Sequence, residues 1–353
     1  MWTGKVFPLM NENRKQKWIF HICAFISFMV LTFWSIFRNQ DFMEMAAAIQ
    51  KLSMQSIAAA IFLAVSFVVG EGCIIWYLLK EIGEKTGLLR CLSYSFIGFF
   101  FSGVTPSATG GQPMQLYYMK KDGNKISSAS VVLMTVAIIY KFVLVLMGIG
   151  IMLFWGKSLK KCLQGYYWLY FVGLFLNIIV VMVLFMVMFS RKIIRTVFYK
   201  MEKILIYFKF WKKSDLRKNK AEQFLSDYQE TVCFLRNHKK MILFTVVGTF
   251  LQRLSVFLLT YVVYRGLGLN GASISDIILL QASVYIAVDM LPVPGAQGIS
   301  EAMYRVVFKN IFPGYYLVVS MCITRGISFY LVMVLSFAVW GIMHFQKNKK
   351  IEY

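Results

Sequence analysis

Seven ionisable side chains fall inside or beside long apolar runs: Glu71, Lys141, Arg253, Asp289, Glu301, Arg305 and Arg325. A charge in such surroundings is expensive unless a partner, a ligand or trapped water compensates it, so these positions are the first candidates for chemistry. They can pair across helices as structural ion pairs, hold a charged headgroup or couple movement to an ion. Glu301 and Arg305, four residues apart, share a face if helical and can simply pair with each other. Two Pro/Gly turns supply a second kind of site. The first reads Thr105-Pro106-Ser107-Ala108-Thr109-Gly110-Gly111 and is followed by Gln112; the second reads Leu291-Pro292-Val293-Pro294-Gly295-Ala296-Gln297-Gly298 and is followed by Glu301. A helix starting at Gly111 and another near Gly298 would each aim free backbone N–H groups and a positive dipole end at the interior, an arrangement that holds anions. Thr105, Ser107, Thr109, Gln112 and Gln297 add uncharged donors suited to a phosphate that is bound and released, with Lys141, Arg253 or Arg325 as countercharge. The competing reading is structural: the glycines and prolines only make turns and let helices approach.

Soluble-enzyme chemistry is poorly represented. His21, His238 and His344 are far apart, and there is no HExxH, Walker A, GxSxG or dinucleotide pattern. No His, Asp or Glu cluster has ligand spacing, so neither a metal nor another cofactor is expected. The six cysteines form no CxxC pair and read as core filler.

The elements that must position these residues are membrane helices. Of 353 residues 59% are apolar and only 15% charged, whereas a soluble domain carries about 25% charge. The net charge of +22 comes in clusters between apolar runs, which fits a basic face towards anionic lipid and argues against direct nucleic-acid binding. The expected fold is all-α and polytopic, a single transmembrane domain over 1–353. Six stretches reach spanning length, at 18–37, 56–79, 127–154, 166–189, 241–264 and 315–345. The first follows Arg14, Lys15 and Lys17 without a cleavage site and reads as a retained signal anchor.

Two shorter apolar segments run into the Pro/Gly turns at what would be membrane depth, so residues 91–121 and 274–312 are expected to be re-entrant broken-helix hairpins. If each returns to the side from which it came, both termini are cytoplasmic and most of the 38 Lys and Arg residues gather on that side. The hairpins then enter from opposite sides, the layout of inverted repeats that build a midplane site from broken helices. Pro106 precedes Gly110 by four residues and Pro294 precedes Gly298 by four, which supports the repeat. The basic loop 191–240 is expected to form a cytoplasmic hairpin. Its interfacial helix carries Ile194, Val197, Phe198, Met201, Leu205, Phe208 and Trp211, and its second helix runs through Phe224, Leu225, Tyr228 and Leu235.

Taken together, the Pro106…Gly110-Gly111-Gln112-Pro113 turn and the Pro292-Val293-Pro294-Gly295-Ala296-Gln297-Gly298…Glu301 turn resemble the transmembrane region of the lysylphosphatidylglycerol synthase/flippase family, over about 18–345. In two-domain relatives this region moves aminoacylated phosphatidylglycerol between leaflets, while a cytoplasmic domain makes the lipid from aminoacyl-tRNA. Only a few residues follow the last span here, so that second domain is not expected. Many relatives have an acid directly after the Gly-Gly pair, where this chain has Gln112, and acids are frequent in relatives at Tyr140-Lys141. Both differences remove negative charge, which points to an anionic or neutral lipid, a phospholipid or a polyprenyl-phosphate carrier, rather than a cationic headgroup.

The resemblance implies a lipid flippase of a bacterial-type cell membrane, its headgroup held by the two turns, with Pro106, Gly110, Gly111, Pro292, Pro294 and Gly298 shaping the site. Phospholipids, and an anionic surface facing 191–240, are the expected partners. The family label also admits phosphatidylglycerol lysyltransferase activity and resistance to cationic antimicrobial peptides, as an enzyme or as the membrane subunit of a separate synthase docked on 191–240. Nucleic acid would then be met only through that synthase. No residue here is assignable to that transfer. A small-solute carrier is the third reading.

Overall fold

A computed structural model of the chain describes residues 52–105, 108–196, 199–200, 215–291, 296 and 298–348, with the single positions 43 and 50. Among the described residues every regular element is a helix. In chain order they are α1 Met54–Glu81, α2 Leu88–Val104, α3 Gly111–Lys121, α4 Ile126–Leu163, α5 Tyr167–Phe189, α6 Asp215–Asn237, α7 Lys239–Gly266, α8 Ile274–Val288, α9 Ile299–Val307, α10 Tyr316–Arg325 and α11 Val332–Asn348. A π-helical turn, Gly326–Leu331, joins α10 to α11.

Among the described residues, five helices are long and apolar enough to cross a membrane: α1, α4, α5, α7 and the α10–α11 rod. They match five of the six expected spans; the sixth, 18–37, lies outside the described residues. Large apolar side chains on their outer surfaces, such as Phe62, Phe154, Phe175, Leu251 and Phe345, are exposed, as a lipid-facing surface requires. The protein is a multi-pass membrane protein. Of the expected basic hairpin, α6 matches the second helix, and 191–196 is helical, but the remainder of the interfacial helix lies outside the described residues. α6 docks through Tyr228, whose hydroxyl donates to Met134 Sδ on α4 at 3.3 Å; burial pushes its phenol up to about 12. The exposed pair Arg195–Glu222 (3.0 Å) joins 191–196 to α6.

The same series of elements occurs twice. α1, the α2–α3 hairpin and α4 form one set; α7, the α8–α9 hairpin and the α10–α11 rod form the other. α1 and α7 end alike, because Gly83 (φ +91) and Gly268 (φ +76) stop them in the left-handed region. Their amides return to Lys80 and Arg265, and those of Glu84 and Leu269 return to Leu79 and Tyr264, a glycine-terminated helix end that satisfies the last carbonyls.

α1 and α7 lie side by side and antiparallel. Gln252 Nε2 donates to the Phe67 carbonyl at 2.8 Å, a Cβ on Gly248 would touch Ile74, and one on Gly266 would lie 2.8 Å from Ser56 Cβ. The α2–α3 hairpin returns to the C-terminal end of α1: Asp122 accepts from Tyr94 at 2.6 Å and pairs with Arg90, and Thr86 bonds Asn124. The α8–α9 hairpin returns to the C-terminal end of α7, where the Ala272 amide donates to Tyr264 Oη at 3.1 Å and Phe312 packs edge-on against Tyr264. Because α1 and α7 run in opposite directions, the two hairpins enter the bundle from opposite ends.

The apolar core divides accordingly. One cluster surrounds α2 and α3, with Ile74 of α1, Ile138 of α4 and Met241 of α7. The other surrounds α8 and α9, with Val68 of α1, Leu144 of α4 and Phe257 of α7.

Candidate functional site

On three helices shared by both clusters, α1, α4 and α7, a charged residue falls where one cluster gives way to the other. Glu71 lies between Val68 and Ile74, Lys141 between Ile138 and Leu144, and Arg253 between Met241 and Phe257. Asp289, at the end of α8, joins them: it pairs with Lys141 Nζ and accepts from Tyr140 Oη at 2.6 Å. Glu71 accepts from Gln115 Nε2 of α3 at 2.7 Å. Glu301, in the first turn of α9, accepts from Arg325 Nε and from Ser300 Oγ, each at 2.8 Å. The structure therefore brings six of the seven expected charges into one interior belt lined by both hairpins.

Arg305 is the exception. Glu301 does not pair with it, contrary to the helical spacing; it turns inward to Arg325, 24 residues on, while Arg305 is exposed. The reason is burial: Glu301 is only 4% exposed, and a carboxylate drawn into the core needs a cation that is also there.

The two turns share a backbone conformation. Ala108 and Ala296, each midway between a proline and a glycine of the Pro-x-Ala-x-Gly pattern, both take positive φ, +55° and +51°. That region costs a non-glycine residue about 1 kcal/mol or more and persists where the surroundings enforce it. In the first turn they do so visibly. Ser102 Oγ donates to the Ala108 carbonyl (3.4 Å), Thr105 Oγ1 donates to the Phe101 carbonyl (2.6 Å), and the Gly110 amide donates to Thr105 Oγ1 (2.9 Å). Thr105 and the Gly110 amide are thus engaged within the turn. Pro106, Ser107, Pro292, Pro294, Gly295 and Gln297 lie outside the described residues. Thr109 and Gln112 are exposed, and Gly298 has φ +78°.

The glycines also serve packing. A Cβ on Gly111 would lie 2.1 Å from Ser102 Oγ and 2.7 Å from the Gly98 carbonyl, and one on Gly98 would strike the Gln115 amide that holds Glu71. At the second turn, Glu301 lies in the first turn of α9, so that helix end carries its own negative charge.

Sequence reasoning did not identify Gln115, Ser300 or Phe67 as members of this site. Gln115 had one signal: a polar residue four positions after Gly111 on the expected helix. Tyr140 drew notice only as the neighbour of Lys141.

Arg253 stands apart from the other cations. It is 7% exposed, and its guanidinium lies 3.6 Å from the centroid of the Tyr140 ring and 4.7 Å from that of Phe67. Its Nε is buried without a hydrogen-bond partner among the described residues.

A family model described as the lysylphosphatidylglycerol synthase TM region matches residues 21–336. The UPF0104 membrane protein PH1989 of Pyrococcus horikoshii is 23% identical over 280 residues, which cover 77% of this chain and 81% of that protein.

Proposed function

The chain belongs to the family of the lysylphosphatidylglycerol synthase TM region, and on that premise we propose that it moves a phosphate-bearing lipid between the leaflets of its membrane. The observation that carries this reading is the pair of hairpins entering from opposite ends, each with a Pro-x-Ala-x-Gly turn, around one belt of buried charge. Broken helices meeting from two sides allow a polar group to be reached alternately from either leaflet while the bundle around it changes little. The acyl chains stay outside, against the apolar surfaces of α4, α5 and α7. The headgroup crosses along the belt between α1, α4 and α7.

The belt also bears on headgroup charge. Its six members are three carboxylates, Glu71, Asp289 and Glu301, and three cations, Lys141, Arg253 and Arg325. A cationic aminoacyl headgroup would meet no surplus of negative charge. The reading therefore favours anionic or zwitterionic phospholipids, with the basic segments of 191–240 resting on an anionic leaflet. Transport without chemistry separates this reading from synthesis. Purified protein reconstituted with phosphatidylglycerol should carry headgroup-labelled lipid to the other leaflet and leave its mass unchanged. Addition of an aminoacyl group, or lipid that never changes leaflet, would refute the proposal.

A further inference from the structure

Four of the six buried charges are matched one to one. Lys141 pairs with Asp289 and Arg325 with Glu301. The remaining two, Glu71 and Arg253, are within electrostatic reach of each other but form no ion pair among the described residues. Glu71 is held by the neutral amide of Gln115. Arg253 makes no hydrogen bond among the described residues, although Gln252 beside it is anchored to α1. A guanidinium carries five N–H donors in a rigid fork, and the Nε donor of Arg253 is buried without a partner among the described residues, which is costly until a ligand satisfies it. The two rings hold the cation in place, and the Tyr140 ring is itself fixed by its bond to Asp289. What remains open is the hydrogen-bonding fork, whose planar geometry matches two oxygens of a phosphate.

We propose that Arg253 is the cation that receives the substrate's phosphate, and that Glu71 is the internal anion that neutralises Arg253 when the site is empty and yields to the phosphate when it fills. The assignment rests on the lipid-transport reading for its choice of lipid. Lys141, also within reach of Arg253, strengthens the pull on an anion without leaving Asp289. The occupant is a phospholipid rather than a free ion, because Phe250 and Leu251, within one turn of Arg253 on α7, are exposed on the apolar outer surface where acyl chains would lie.

The test uses the purified full chain in uncharged detergent micelles and measures affinity for short-chain phosphatidylglycerol, for diacylglycerol of the same chain length, and for inorganic phosphate. The intact protein should prefer phosphatidylglycerol to diacylglycerol. Arg253→Gln should weaken phosphatidylglycerol binding by about tenfold or more, the worth of hydrogen bonds to a charged group, and leave diacylglycerol unaffected. Glu71→Gln should tighten phosphatidylglycerol binding, because it removes the competing carboxylate.

Equal preference for phosphatidylglycerol in parent and Arg253→Gln would overturn the proposal. Should Arg253→Gln fail to fold, Glu71→Gln decides, and unchanged or weaker binding by it overturns the proposal. Competition by inorganic phosphate at concentrations similar to the lipid would refute the lipid assignment in favour of the free ion. Leaflet exchange is followed on the same preparations. Arg253-dependent binding without exchange keeps the site and removes the transport reading, whereas exchange indifferent to Arg253 does the reverse.

Discussion

Removing the carboxylate of Asp289 strands two groups at once, the ammonium of Lys141 and the hydroxyl of Tyr140. Lys141 and Asp289 have side chains only 12% and 13% exposed, so breaking the pair leaves a charge with little water to receive it. Asp289→Asn is expected to lower unfolding free energy by about 3 kcal/mol, and Asp289→Asn with Lys141→Met to recover most of that loss. Unfolding of the two variants in mixed micelles measures both. The existence of these charges was readable directly, because any Lys, Arg, Asp or Glu within an apolar run draws attention. Their partners were not. Lys141 and Asp289 are 148 residues apart, and nothing local to either identifies the other, whereas Glu301 and Arg305 offered an inviting local pair that the fold declines. Helical spacing states who can meet on one helix; burial against a second helix decides who does.

The hairpins depend on backbones that come closer than side chains normally permit. A Cβ on Gly173 of α5 would fall 2.3 Å from the Ile286 carbonyl and 2.8 Å from Ala287 Cα, both backbone atoms of α8 near its turn. Neither can swing aside, so Gly173→Ala should push α8 outward and destabilise the protein by about 1–3 kcal/mol. Gly150→Ala is the matched control, since a Cβ there meets nothing within 4 Å; it should be neutral or slightly stabilising through helix propensity. Thermal unfolding of both variants checks the contrast. The broken helices themselves were readable from length, because α2 and α8 have 17 and 15 residues and each runs into a proline. The shared proline-to-glycine spacing was also plain. What the spacing could not convey is the positive φ at Ala108 and Ala296, since alanine carries no preference for that region; at Ala108 the conformation is held by the hydrogen bonds that Ser102, Thr105 and Gly110 make around it.

The bundle as a whole is two copies of one element series, turned end over end. The sequence suggested this through topology, by counting spans and placing basic residues, and the antiparallel packing of α1 against α7 now supports it without reference to charge. Pairwise contacts of this kind, such as the Phe67 carbonyl with Gln252, carry no signature in a single sequence. The bases of the hairpins are therefore expected to face opposite sides of the membrane. In a variant lacking the native cysteines, Lys85→Cys and Asn270→Cys, both at exposed positions in the connections 82–87 and 267–273, should react with an impermeant thiol reagent from opposite faces of sealed vesicles. Reaction of both from one face would refute the inverted arrangement.

The central claim concerns movement of lipid, and leaflet exchange tests it most directly. Vesicles are prepared with headgroup-labelled phosphatidylglycerol in both leaflets, and an impermeant quencher is added outside. The parent protein should render the inner-leaflet label accessible at a rate proportional to protein per vesicle. Gly111→Ala, whose methyl group would collide with Ser102 and the Gly98 carbonyl where α3 meets α2, should slow it severely at equal reconstitution. Inner-leaflet label that stays protected at every protein density, with the protein folded, would contradict the account.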